Sequence, residues 1–373
     1  MKKNVIDLFS GCGGLSLGLE QAGFNVVFAN DINPICAETF VENININKKC
    51  FFIGDINELV VEHQKYQKYF TNVDLISGGP PCQGFSMANR QRIIDDPRNA
   101  LYKAYLQLLS FAKPKFFIME NVRGMAKKID EILEDFDEVL KGKYDISYRI
   151  LNAKNFGIPQ NRERLFVIGN RIGVESEKIF QNICNNKYKN FVLKDAISDL
   201  PKLGFNKVKN STSLENNEVG FREIEYTYKK TEFYKFINDN RKINFLYNHK
   251  NRYNNERDIK IFSLLPQGEN SLHPSISDIM PYKTRNHIFK DKYFKLKYDE
   301  VCKTITSHMK YDCNMYIHPT ESRGLSSREA ARVQTFPDDF VFKGPQNSWY
   351  LQIGNAVPVK LAKIIGEEVL RWL

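Results

Sequence analysis

The chain has 373 residues, enough for one large or two ordinary domains with a sizeable core, and 42% of them are apolar and 26% charged. No stretch approaches the roughly 18 apolar residues of a membrane span. "MKKN" runs straight into a strand-like "VIDLF" without an apolar leader, so the expectation is a cytoplasmic protein with no membrane partner. Seven scattered cysteines without a CxxC pair, and six histidines without HxxxH spacing, argue against a disulfide framework and against a metal site.

The formal charge of +10 points to a polyanionic partner. Residues 1–190 carry 25 Lys/Arg against 22 Asp/Glu, whereas 191–373 carry 29 against 22. In the second half the bases interleave with aromatics and asparagines, as in "FREIEYTYKKTEFYKFINDNRKINFLYNHKNRYNNER" (221–257). Such a surface suits nucleic acid, although by itself it equally describes an ordinary solvated face.

In chain order, "NVIDLF" reads as an apolar, β-branched strand, and "GLSLGLEQAG" as a helix running to a glycine stop. "NVVFAN", "CFFIGD", "VDLISGG" and "KFFIMEN" follow as strands, with helical stretches between most of them, among them "ALYKAYLQLLSFAKP", ended by Pro114. "DEILEDFDEVLKGK" predicts another helix, then "ISYRILNA" and "RLFVIGN" two more strands. This alternation predicts an α/β fold with a doubly wound, mostly parallel sheet, which binds ligands at the carboxyl ends of its strands. Beyond about residue 190 the alternation is lost, and 200–320 reads as a second, less regular domain. Two helices close the chain, "SSREAARVQTFP" and "PVKLAKIIGEEVLRWL".

Four stretches carry chemistry. "DLFSGCGG" sets Gly11, Gly13 and Gly14 between the first strand and first helix, where glycines let a backbone approach a cofactor. The spacing is not the dinucleotide GxGxxG, and alone it is only a tight turn. Asp31 ends the second strand, about 20 residues on, and Asp55 the third. Two such acids suit the ribose and base of a nucleoside, so S-adenosylmethionine fits at least as well as NAD. "GGPPCQGFS" (78–86) then presents Cys82 after two prolines at a strand end. An isolated cysteine is more often a small buried residue than a nucleophile. Glu120, in "ENV", ends the next strand, where partial burial raises a carboxyl pKa toward neutrality. "QNRER" (160–164) precedes the strand "LFVIGN", with Arg162 and Arg164 expected to alternate onto one side of it.

Taken together, "DLFSGCGG", "GGPPCQGFS", "ENV", "QNRER", "RGLSSREAARVQTFPDDF" (323–340) and "GNAVP" (354–358) resemble, in order, the motifs of the DNA (cytosine-5-)methyltransferase family, of the bacterial restriction–modification type. The resemblance covers nearly the whole chain except about 190–320, and it implies a Rossmann-like methyltransferase domain over 1–190 plus 350–373. A smaller, irregular target-recognition domain would occupy 191–349. The implied reaction transfers a methyl group from S-adenosyl-L-methionine to C5 of a cytosine in a specific double-stranded DNA sequence, leaving S-adenosyl-L-homocysteine. The base is flipped out, and the Cys82 thiolate adds to C6.

By the same resemblance Glu120 and Arg164 act on the base, at N3 and at O2, and Arg162 supports the site. Cofactor contacts fall on Phe9, Gly11, Cys12, Gly13, Asp31, Ile32, Asp55, Ile56, Pro81, Leu101, Asn355 and Ala356. Asp31 stands where the family more often has Glu. DNA contacts fall on Ser86, Arg90, Arg98, Thr306 and Arg323, and bases are read from 241–257 and 283–316. The family also implies a monomer, with a cognate restriction endonuclease acting on the same site. Two other readings are an RNA (tRNA) cytosine-5 methyltransferase and an inactive DNA-binding relative. "PCQGFS" and the long variable region favour DNA, and retention of cysteine, glutamate and arginines favours activity.

Overall fold

Apolar runs closed by glycine, asparagine or proline build the strands of the first half, as their period predicts. The structure, a computed structural model, describes residues 2–81, 99–239, 241–281 and 292–373. The strands of the first half are β1 (Asn4–Leu8), β2 (Asn25–Asp31), β3 (Phe51–Ile53), β4 (Leu75–Gly78), β5 (Phe116–Val122), β6 (Asp145–Asn152), the two-residue β7 (Gln160–Asn161) and β8 (Glu163–Asn170). All but β7 join one seven-stranded sheet of order β3-β2-β1-β4-β5-β8-β6. From β3 through β5 the pairings are parallel; β8 runs antiparallel between β5 and β6.

The order turns back at β1, which has β2 on one side and β4 on the other. The connection from β1 to β2 holds helix α1 (Gly14–Ala22), and that from β4 to β5 holds α5 (Ala100–Ala112). Right-handed crossovers in opposite directions put these helices on opposite faces. A crevice therefore opens outside the carboxyl ends of β1 and β4.

Helix α5 buries Tyr102, Tyr105, Leu106 and Leu109, and α6 (Ile129–Leu140) buries Ile132 and Phe136, against Ile6, Ile76, Phe117, Met119 and Val167 of the sheet. The interior positions recur at three and four residues, the period that makes one helix face apolar. Lys113, in a left-handed conformation (φ 45°), and Pro114 stop α5. On the other face α1 packs against α13 (Val359–Arg371) through glycines on both helices. A Cβ on Gly18 would stand 2.4 Å from Ala362 Cβ, and one on Gly366 2.9 Å from Ala22 Cβ.

The chain forms two compact units: Met1–Phe156 with Glu163–Tyr188 and Val357–Leu373, and Gly157–Arg162 with Lys189–Ala356. Relative to limits at 190 and 350, Gly157–Arg162 and the whole helix Gln346–Asn355 fall in the second unit. That unit has a two-stranded antiparallel ribbon (Gly220–Glu225 with Phe245–Lys250), a two-residue parallel pairing of Cys302–Lys303 with β7, and short helices. Small apolar clusters lie inside it, one around Ile261, Phe262, Tyr293 and Ile317, another around Leu200, Tyr228, Tyr234 and Leu246. Among the described residues no helix is long and apolar enough to cross a membrane.

Candidate active site

Leaving β1, the chain adopts left-handed conformations at three of five residues: Phe9 (φ 56°), Gly11 (φ 55°) and Gly13 (φ 94°). Such a turn costs a non-glycine residue on the order of 1 kcal/mol, so Phe9 is held there by its surroundings. The turn carries the Gly11 N–H to Asp31, whose Oδ2 accepts it at 2.9 Å while Oδ1 accepts the Asn33 N–H at 2.8 Å. Burial raises the Asp31 pKa, and these N–H bonds oppose the rise. Among the described residues, a Cβ on Gly11 would meet nothing within 4 Å, so they leave the turn open. Ile32, beside the acid, is 68% exposed. An open glycine turn, a partly buried acid at a strand end and an exposed apolar side chain fit a nucleoside-bearing cofactor such as S-adenosylmethionine.

Asp55 follows β3 and caps the next helix (Ile56–Val61), accepting the Asn57 N–H at 2.8 Å. Cys12 and Ile56 were expected among the cofactor contacts, but both side chains are buried in the interior.

Asp7, inside β1, is a buried carboxylate that sequence reading passed over. Its Oδ2 accepts the Ser16 hydroxyl of α1 at 2.5 Å and its Oδ1 the Ser77 hydroxyl of β4 at 2.7 Å. Burial pushes its pKa up to about 6 against those two hydrogen bonds. The signal was an acid in the middle of an otherwise apolar strand.

After β4 come Gly79, Pro80 and Pro81. The Pro80 carbonyl accepts the side-chain N–H of Asn121 at 2.9 Å, a buried bond from β5 to the loop leading into Cys82. Asn121 is the middle residue of "ENV" and was not singled out from sequence. A Cβ on Gly79 would lie 3.3 Å from Glu120 Oε2, a close contact from which the carboxylate would have to shift by a few tenths of an ångström. Glu120 itself faces Arg164, with Nε and Oε1 3.0 Å apart and side chains 12% and 17% exposed. The antiparallel register explains the meeting. Val122 pairs with Arg164, so β8 begins at the edge where β5 ends. Leu101, half-buried in the first turn of α5, packs on the core. Cys82, Ser86, Arg90 and Arg98 lie outside the described residues.

Arg162 does not share a strand face with Arg164. It falls between β7 and β8, is 1% exposed, and belongs to the second unit. Its Nη1 donates to the Ile305 carbonyl at 2.7 Å and its Nη2 to those of Gly354 (3.2 Å) and Ala356 (2.9 Å). Gln160 joins the same knot: its Nε2 donates to Gln334 Oε1 and its Oε1 accepts the Ile305 N–H, both at 2.7 Å. Asn355 is exposed and Thr306 half-buried, its hydroxyl 3.0 Å from that of Tyr316.

Arg323 is not available to DNA in this structure. It is 2% exposed and bonds both Glu329 oxygens, at 2.8 and 2.7 Å, with Glu321 beside it. Glu329 is also the capping-box acid of the helix Ser327–Val333, so Arg323 neutralises a carboxylate that starts a helix.

A model of the family described as C-5 cytosine-specific DNA methylase matches residues 3–371. The Type II methyltransferase M1.HphI of Haemophilus parahaemolyticus is 33% identical over 382 residues, covering 100% of this chain and 87% of that protein. M.MthTI of Methanothermobacter thermautotrophicus is 32% identical over 378 residues, covering 100% and 98%. A crystal structure of a candidate DNA modification methyltransferase from an E. coli prophage superposes with a TM-score of 0.74 at 28% identity, over 99% of both chains. With the sheet, the glycine turn and the Glu120–Arg164 pair in place, these matches along the full length assign this chain to the C-5 cytosine-specific DNA methylases, as an enzyme that methylates cytosine in DNA at C5.

Proposed function

We propose that the enzyme modifies one cytosine within a specific double-stranded DNA sequence, with Cys82 as nucleophile and Glu120 and Arg164 as the groups that hold the flipped base. The observation that carries this reading is the Glu120–Arg164 pair at 3.0 Å, on the strand edge next to the Pro80–Pro81 segment that leads into Cys82. The Cys82 thiolate adds to C6, and the electron pair displaced from the C5–C6 bond makes C5 nucleophilic. Glu120 bonds N3 and shares a proton with it as charge builds on the ring, while the Arg164 guanidinium holds O2. S-adenosyl-L-methionine, when bound, supplies a methyl group on a sulfonium centre. Loss of the C5 proton and expulsion of the Cys82 thiolate restore the aromatic ring.

Phe9, Gly11, Gly13, Asp31, Ile32 and Asp55 form the proposed cofactor seat, with the backbone at Cys12 and Ile56, and with Pro81, Leu101, Asn355 and Ala356 as further contacts. Ser86, Arg90, Arg98 and Thr306 are proposed to meet DNA. Arg162 supports the site through the three carbonyls it binds. The enzyme works as a cytoplasmic monomer and protects the site of a cognate endonuclease.

Expression in a host free of cytosine methylation, followed by mapping of 5-methylcytosine, gives the recognition sequence. Absence of C5 methylation in every context overturns the reading. A duplex with 5-fluorocytosine at the mapped position should trap a denaturant-resistant adduct with wild type and none with Cys82→Ser. An adduct that survives this substitution would exclude Cys82 as the nucleophile.

A further inference from the structure

Three consecutive residues of the second unit, Asn251, Arg252 and Tyr253, anchor two loops that are distant in sequence. Asn251 Nδ2 donates to the Gly204 carbonyl at 2.5 Å and to the Glu218 carbonyl at 3.0 Å. Asn206, 2% exposed, answers from the loop. Its Nδ2 donates to the Asn251 carbonyl (3.2 Å) and to Ser211 Oγ (2.7 Å), and its Oδ1 accepts the Val208 N–H (3.0 Å). Lys209 Nζ stands 5.4 Å from the Tyr253 ring centroid. On the other loop, Arg252 divides its guanidinium between the carbonyls of Met309 (2.6 Å) and Tyr311 (2.9 Å). Segments 204–210 and 307–311 thus meet at one tripeptide, each with its backbone fixed.

These fixed backbones hold large apolar groups in water. Phe205 is 47% exposed, Val208 50% and Tyr311 65%. Lys207, Lys209 and His308 are exposed beside them, and Lys310 Nζ lies 4.8 Å from the Tyr311 centroid. The acids nearby are Glu256, in an exposed 3.3 Å pair with Lys207, Glu218, against Gly204, and Asp312, which follows Tyr311 in the chain and accepts the Asn314 N–H at 3.1 Å. A solvated pair of that kind is weak and yields to a phosphate. Apolar side chains interleaved with lysines, on loops already ordered, suit a large polyanion with apolar features of its own.

We propose that 204–210 and 307–311 form one DNA-reading surface. Lys207, Lys209 and Lys310 meet phosphates, Phe205 and Val208 meet thymine methyl groups in the major groove, and Tyr311 packs against a base or sugar face. The proposal rests on the chain's action on double-stranded DNA, and it places half of the reading in a loop that sequence analysis did not single out.

The test uses the full-length enzyme and a duplex carrying its mapped site. The double variant Lys207→Gln/Lys209→Gln should raise KM for DNA and lower the slope of log affinity against log salt by about 2. Tyr311→Ala should weaken DNA binding roughly tenfold, and Tyr311→Phe, which keeps the ring, should restore it. Phe205→Ala/Val208→Ala should spread methylation to sites with one altered base pair. In each variant an unchanged affinity for S-adenosylmethionine shows that the fold is intact. If wild type methylates its site and all these variants keep its KM for DNA, salt slope and methylation map, the surface is not the reader. If wild type leaves DNA unmethylated, the function itself fails and this proposal with it.

Discussion

Gly354→Ala poses a question of sign. The residue lies inside helix α12 (Gln346–Asn355), where alanine ordinarily stabilises by about 0.5–1 kcal/mol relative to glycine. An ideal Cβ there would stand 2.2 Å from Ser307 N, 2.2 Å from Thr306 C and 2.5 Å from Thr306 O. All three are backbone atoms, and the segment is tied: the Ile305 N–H to Gln160, the Ile305 carbonyl to Arg162, the Thr306 hydroxyl to Tyr316. Ordinary contact requires a shift of about 1 Å, which stretches those bonds. Overpacking of this kind costs roughly 1–3 kcal/mol or more, so the net change should be a destabilisation of about 2 kcal/mol. For a unit of roughly 150–250 residues, that lowers Tm by about 4–8 °C. Trp349, fully buried in the same helix, reports the transition by its fluorescence in a thermal or urea melt. A Tm at or above wild type would refute the close approach and show that helix propensity outweighs the clash.

Gly11→Ala meets no neighbour among the described residues, so it should cost only about 1 kcal/mol of strain at its positive φ. It should nevertheless lower cofactor affinity more than tenfold, and an unchanged Kd by calorimetry would move the cofactor elsewhere. Asn121→Ala removes the bond to the Pro80 carbonyl. Adduct formation with the 5-fluorocytosine duplex should slow at least tenfold with cofactor affinity preserved; equal rates would make the bond merely structural. Glu120→Ala should slow turnover on the order of a hundredfold or more while leaving cofactor affinity within about twofold; the opposite pattern contradicts its role. Burial pulls the pKa of His249 down to about 4 and that of His318 to about 3. The unfolded chain therefore binds more protons, and the stability from keeping both rings neutral is present above about pH 6.5 and lost as pH falls toward 4 and 3. Asp7, raised to about 6, acts in the opposite sense: its contribution is full below about pH 4 and gone above about 6. Two lowered histidines outweigh one raised acid, so the urea midpoint should fall between about pH 7.5 and about pH 4.5. Identical midpoints would show that the rings are not buried as described.

The first half was legible because its interior is apolar and periodic. Asp31 and Gly78 announce where β2 and β4 leave the sheet, whereas β5 runs on through Glu120 to Val122, two residues past the end expected for it. Arg162 was misread because alternation assigns faces only within a continuous strand, and the strand is interrupted between Asn161 and Glu163. The second unit was opaque for a different reason. Its interior is held largely by polar side chains bonded to backbone. Asn248 exchanges both amide bonds with Phe342, Arg328 serves the carbonyls of Tyr247, Pro337 and Phe340, and His249 bridges Ser326 and the Pro201 carbonyl. Such bonds have no period, and in sequence these residues read as solvated surface.

The same misreading distorts the charge. Lys250, Lys295, Arg323, Arg328 and Arg332 are all buried, the last held between Asp199 and Asp338. A cation that is desolvated and bonded to carbonyls or carboxylates cannot neutralise a phosphate as well, because leaving its partners would strand them unpaired in the interior. Removing one should therefore lower stability and leave the salt slope of DNA binding unchanged. An exposed lysine such as Lys209 should do the reverse. The basic excess of the second half thus divides into buried, structural charge and exposed charge that can meet a polyanion, and burial, which composition does not record, makes the division.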